Sequence, residues 1–132
     1  MTEKEEKMPV LARNKKAFHD YFIEDKLEAG IELVGTEVKS VKAGKVSIKE
    51  SFIRIIRDEV FVINMHITPY EFGNINNVAE SRVRKLLLNR REIKKWSEKI
   101  KEQGYTIVPI SVYIKQRLVK MEIGLAKGKK IH

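Results

Sequence analysis

The sequence predicts a mainly β fold, with about six antiparallel strands and two or three short flanking helices. Three observations point there. Long stretches alternate apolar and polar residues with period two, runs rich in β-branched and aromatic residues flank short turn signals, and a helical apolar stripe recurs only in brief segments. The chain of 132 residues holds 42% apolar and 34% charged side chains, enough apolar material for the core of a single domain spanning 1–132.

From Asp20 to Leu33 the odd positions Tyr21, Ile23, Leu27, Ala29, Ile31 and Leu33 are apolar while charged residues fill even ones. This is a half-buried strand, with a bend or bulge expected at Gly30. Thr36 is expected to cap a short helix that Val38 and Val41 bury and Gly44 ends. Ser51 to Arg57 and Val60 to Ile67 read as a hairpin around Asp58-Glu59, and Thr68 to Ser81 as a polar loop. Arg82 to Leu88 is another strand. Asn89 with Glu92 three residues on forms a capping box for a helix carrying Ile93, Trp96 and Ile100 on one side and closing at Gly104. Tyr105 to Ile114 and Arg117 to Leu125 complete the strands, Pro109 marking an edge or a bulge. Adjacent antiparallel strands with inserted helices suggest a β-barrel resembling an OB-fold; an open α+β sandwich is the alternative. Residues 1–12 are expected to be flexible, and 126–132 to begin a basic tail.

The net charge of +9 is unevenly placed: residues 1–81 hold 12 basic and 14 acidic side chains, residues 82–132 hold 15 and 4. Such asymmetry fits a polyanionic partner, whereas the ordinary alternative is a solvated lysine-rich surface. The absence of cysteine excludes disulfides, thiolate metal sites and cysteine nucleophiles. His19, His66 and His132 lack ligand spacing, no nucleophile elbow or carboxylate cluster is visible, and neither an enzyme nor a cofactor is expected. The start MTEKEEKMPV leads into no apolar stretch, so no membrane partner is expected, and a cytoplasmic monomer is.

Four features could carry binding. Arg91, Lys95 and Lys99 form a row of like charges that an anion would relieve. Leu86-Leu87-Leu88 follows Arg84 and Lys85, so alternation turns Leu87 away from its neighbours, either under a covering helix or as a platform for a base or sugar. Glu28 lies on the polar side of its strand, an ordinary surface carboxylate or an acceptor for base and ribose groups. Gly124 to Lys130 lacks P-loop spacing, but its lysines suit phosphate.

The stretches NKKAFHDYFIEDKLEAGIELVGTEVKSVKAGK, HITPYE, RKLLLNRREI, GYTIVPISVYIK and VKMEIGLAKGKK resemble the SmpB family, the bacterial SsrA-binding proteins, over essentially the whole chain. The resemblance implies an OB-like barrel that binds the tRNA-like domain of tmRNA and accompanies it to stalled ribosomes for trans-translation, acting with elongation factor Tu and alanyl-tRNA synthetase. A general tRNA- or rRNA-binding translation factor is the alternative. Carried onto matching positions, Asn14, Glu28, Leu87, Lys120 and Gly128 become RNA-contact or surface-shaping residues, and Lys15, Lys16, Lys127, Lys129 and Lys130 phosphate contacts, beside Arg84 and Lys85. Family members continue into a basic tail that follows the ribosomal messenger channel. This sequence stops at His132, a position matching a residue near the decoding centre, so RNA binding with defective ribosome rescue is expected.

Overall fold

The computed structural model describes residues 9–72, 77–102 and 104–129. The elements run β1 (Val10–Arg13), α1 (Lys16–Asp20), β2 (Tyr21–Ile31), α2 (Gly35–Lys42), β3 (Val46–Ser47), β4 (Phe52–Ile56), β5 (Glu59–Ile63), β6 (His66–Ile67), β7 (Arg84–Leu87), α3 (Arg90–Ile100), β8 (Tyr105–Lys115) and β9 (Leu118–Gly128). Seven strands form one antiparallel sheet in the order β1-β8-β9-β2-β7-β5-β4, and β3 pairs with β6 beside it. The sheet curls until β4 lies near β8 without pairing to it, in keeping with the expected barrel.

Six of these strands answer to the expected ones. The additions are β1 and β3, each too short to show a period, and β6 is the far end of the expected Val60 to Ile67 strand. The Val60 to Ile67 run divides because Asn64 adopts a positive φ of 66°. At the ends, Val10 to Ala12 pair with β8 and Ala126 to Gly128 continue β9 against β2, while residues 1–8 and 130–132 of the expected flexible start and basic tail lie outside the described residues.

The helix signals hold with one shift. Asn89 Oδ1 accepts from Glu92 N–H at 2.9 Å and Glu92 Oε1 from Asn89 N–H at 3.0 Å, starting α3. Gly104 and Gly44 take φ of 90° and 80° after α3 and α2. Thr36, however, lies inside α2; the start is closed by Glu37, whose carboxylate accepts from Val34 N–H at 3.1 Å. The two tight hairpins turn at Arg57-Asp58 and Gln116-Arg117, all at positive φ, so the first turn is one residue earlier than Asp58-Glu59.

The expected kink in β2 falls at Glu24, where the register with β9 slips between Ile23 and Asp25, while Gly30 pairs regularly. Pro109 does mark a bulge: the β8–β9 register slips between Pro109 and Ser111. Each bulge reverses which side chains face the barrel interior. Beyond them Leu27, Ala29, Val112, Met121 and Ile123 point into the main core with Trp96 of α3. Before them Ile23, Val108 and Ile110 join Ala126 in a second cluster on the outside, covered by Ala17 of α1.

Arg84 and Glu37 are both buried and hold α2 to β7. Arg84 donates to Glu37 Oε2 at 2.8 Å, to the Met65 carbonyl at 2.6 Å and to the Glu80 carbonyl at 2.9 Å. Arg82 donates to both Glu37 oxygens, at 3.0 and 2.6 Å. Burial alone would raise the Glu37 carboxyl, but the bonds from Arg82, Val34 N–H and Arg84 outweigh it and hold the group below the ordinary carboxylate range. Glu37→Ala strands a buried guanidinium and is expected to cost about 3 to 5 kcal/mol in urea unfolding at neutral pH. Because the folded carboxyl is depressed, this loss should be full above the ordinary carboxylate range, shrink as pH falls below that range and vanish once pH has passed the lowered value. A loss below about 1 kcal/mol, the size of an exposed pair, would contradict the clamp.

Candidate nucleic-acid interface

The outer side of the sheet beyond the two bulges is uncovered. Register places Leu87, Gly30, Lys120 and Tyr113 in one row across β7, β2, β9 and β8. Leu87 is 47% exposed, with no helix among the described residues covering it. Its Cβ would lie 3.4 Å from a Cβ built at Gly30, so the leucine leans over the strand where a larger neighbour would crowd it. Gly30 therefore serves close approach rather than a bulge.

One pair along, Glu28 stands opposite Glu122, a like-charge pairing that needs compensation. Tyr113 Oη donates to Glu28 Oε2 at 2.5 Å, and Lys115 Nζ reaches both oxygens at 3.4 Å. The Tyr113 bond, with Lys115 and Lys120, holds the Glu28 carboxyl below its usual value against the opposing effect of partial burial. Burial and the Glu28 carboxylate together push the Tyr113 phenol far up, so it remains a donor. Glu28 is thus a fixed, ionised acceptor in a particular orientation, with its side chain 32% exposed.

This face continues towards α1. Lys26, two residues before Glu28 on the same strand, places Nζ 5.2 Å from the Phe18 ring centroid, and Lys129 Nζ donates to the Phe18 carbonyl at 2.9 Å. Phe18 is half exposed. Lys15 and Lys16 stand exposed at the start of α1. Asn14 shapes this corner from beneath: its side-chain amide donates to the Pro109 carbonyl and its backbone N–H to the Ile110 carbonyl, both at 2.8 Å. Both carbonyls belong to the part of β8 where the register slips.

The other predicted residues separate from this arrangement. Arg84 is fully buried in the Glu37 clamp and has no surface to offer phosphate, which corrects its expected contact role. Its position beside Lys85 in a basic run hid a partner 47 residues away. Lys85 faces outward with Leu87 but is paired to Glu59 at 3.0 Å. Lys127 stacks 4.8 Å from the Tyr105 ring at the far end of β9, and a Cβ at Gly128 would meet open space, so no steric need for glycine exists there. Lys130 and His132 lie outside the described residues.

The basic row on α3 finds much of its anion within the protein. Lys99 lies 3.8 Å from Glu24 and Lys95 3.9 Å from Asp25, which also accepts from Trp96 Nε1 at 3.0 Å. Sequence reasoning missed Tyr113, Lys115, Lys26 and Phe18. The first two sit in an apolar run whose phase the Pro109 bulge reverses, so simple alternation could not assign their side.

The fold and this face define a class: a small curled β-barrel presenting an outward surface of lysines around an exposed leucine and an oriented carboxylate. The family model described as SmpB protein matches residues 11–132. An SsrA-binding protein of Fusobacterium nucleatum subsp. nucleatum is 63% identical over 123 residues, covering 93% of this chain and 83% of the relative. One from Caldanaerobacter subterraneus subsp. tengcongensis is 56% identical over 131 residues, covering 99% and 83%. A chain from a solved structure described as "tmRNA-SmpB: a journey to the center of the bacterial ribosome" superposes with a TM-score of 0.75 at 46% identity, covering 94% of this chain and 87% of that one. The chain belongs to the SmpB family.

Tyr113→Phe removes the hydroxyl that fixes Glu28. The Glu28 carboxyl should then titrate closer to the ordinary carboxylate value in a carbon-detected NMR titration. An unchanged titration would show that the lysines alone depress it.

Proposed function

We propose that this protein is an RNA-binding adaptor that holds the tRNA-like domain of tmRNA and delivers it to stalled ribosomes in trans-translation. The observation that carries this reading is the Leu87-Gly30-Lys120-Tyr113 row with the oriented Glu28 carboxylate beside it. Such a surface separates the two tasks of RNA recognition. Lysines on the face and at the α1 corner engage phosphates irrespective of sequence, while an exposed leucine and a fixed acceptor meet exposed bases or ribose hydroxyls of a folded RNA.

The names of the relatives support the same partner, and the solved neighbour's description supports a ribosomal setting. A general tRNA or rRNA binder has no specific observation in its favour. The work proposed is that of a binding protein, as the relatives are named for binding. No helix of the described residues is long and apolar enough to cross a membrane.

Glu28→Ala and Leu87→Ala should each weaken binding to the tmRNA tRNA-like domain about tenfold, the scale of one lost base contact. Binding to unstructured RNA of equal length should change far less. Fluorescence-anisotropy titrations of both RNAs make the comparison, and equal losses on the two would remove the specificity role assigned to these residues.

A further inference from the structure

A second feature lies away from this face, between the end of α2 and the segment after β6. Ser40, Ala43, Lys45, Thr68, Pro69, Tyr70, Glu71 and Phe72 line a cleft of about 330 Å³, at the small end of ligand pockets. At its base Ser40 is 1% exposed, yet its hydroxyl has no hydrogen-bond partner. The Ser40 carbonyl is satisfied by Ala43 and Lys45 N–H at 3.1 and 2.9 Å, so the orphan is the side chain alone. Buried hydroxyls are ordinarily paired, and this one, buried and without a partner, belongs to a residue that lines the cleft, where a ligand group reaching it would complete it.

The walls say which kind of ligand. Tyr70 and Phe72 meet edge to face with centroids 5.5 Å apart, and Phe72 is 72% exposed. An exposed phenylalanine on a segment that is itself held in place offers a stacking surface. Tyr70 N–H donates to Asn77 Oδ1 at 2.9 Å, Asn77 Nδ2 returns a bond to the Tyr70 carbonyl at 2.8 Å, and Thr68 N–H joins the Lys45 carbonyl at 3.1 Å. Lys39 Nζ lies 5.4 Å from the Tyr70 centroid, and Lys45 lines the cleft. A free phosphate would meet the Glu71 carboxylate and leave the rings unused. An aliphatic group would leave Ser40 unpaired. A planar ring with polar edges, carried on an anionic backbone, uses every wall: faces for the aromatics, an edge for Ser40, phosphates for the lysines.

We propose that this cleft receives one unstacked base of the bound RNA, stacked on the Phe72 ring with Tyr70 at its edge and hydrogen-bonded by the Ser40 hydroxyl. As a second point of attachment it rests on the RNA-binding reading. It differs from the Leu87 face in being a pocket that takes a base whole.

Nucleoside 5′-monophosphates at millimolar concentration are the probe, followed by amide chemical shifts of the full chain. Saturable shifts are expected at Ser40 to Lys45 and at Thr68 to Phe72, abolished by Phe72→Ala and diminished by Ser40→Ala. Phe72 is exposed, so its replacement leaves the core intact. No saturable shift there, or shifts confined to the neighbourhood of Glu28, would overturn the proposal. Binding of the tRNA-like RNA separates the two ideas. Phe72→Ala should weaken it about tenfold. Unaltered affinity would overturn the pocket and leave the RNA reading standing. Mononucleotides filling the cleft in a protein that fails to bind the RNA would do the reverse.

Discussion

Everything on the outward face depends on the phase of three eleven-residue strands, β2, β8 and β9, which pair along most of their length. In a sheet a one-residue slip exchanges inside for outside. Here the slip occurs twice, at Glu24 and next to Pro109, within the same stretch of sheet. On one side of the slips the outer surface is apolar and roofed by α1; on the other it is polar and open. The same bulge turns Asp25 inward to meet Trp96 of α3 and leaves Lys26 and Glu28 outward. Without it the chain would bury charge or expose its core residues.

The partition of charge follows from this geometry. The carboxylates at the β2 bulge, Glu24 and Asp25, lie near two lysines of α3, so the helix richest in cations has internal counterions. Glu37 gathers two arginines, one of them buried. What remains facing outward includes Lys15 and Lys16 at the α1 corner and Lys26 and Lys120 on the sheet, with Lys115 beside Glu28, as well as Arg90, Arg91, Lys94 and Lys101 along α3. Charge counted along the chain therefore overstates the role of residues 82–101 in attracting a polyanion. Tertiary pairing, invisible in a count, offsets part of that charge and leaves strands β2, β8 and β9 with the corner beside them as a separate cationic surface.

How much could be read beforehand depended on how local each signal was. Asn89 with Glu92, Gly44 and Gly104 each state a helix end within a few residues, and the structure keeps all three. The outward turn of Leu87 needed only alternation within a four-residue strand. The burial of Arg84 needed Glu37, distant in sequence and joined to it only by the fold, and nothing local distinguishes such an arginine from a surface one. Tyr113 was hidden for a related reason: its partner Glu28 lies 85 residues away, and the intervening bulge changes its side. The short strands β1 and β3 carry too few residues for any period to show.

The central claim is that a bound RNA covers the outer side of the sheet and not the exposed side of α3. Lysine-modification footprinting by mass spectrometry, on the protein alone and with the tmRNA tRNA-like domain, measures this directly. Lys26, Lys115 and Lys120 should lose reactivity in the complex while Lys94 and Lys101, at the edge of α3, keep theirs. Protection of Lys94 and Lys101 with the sheet lysines unaffected would place the RNA on the other side of the molecule and contradict the interface described.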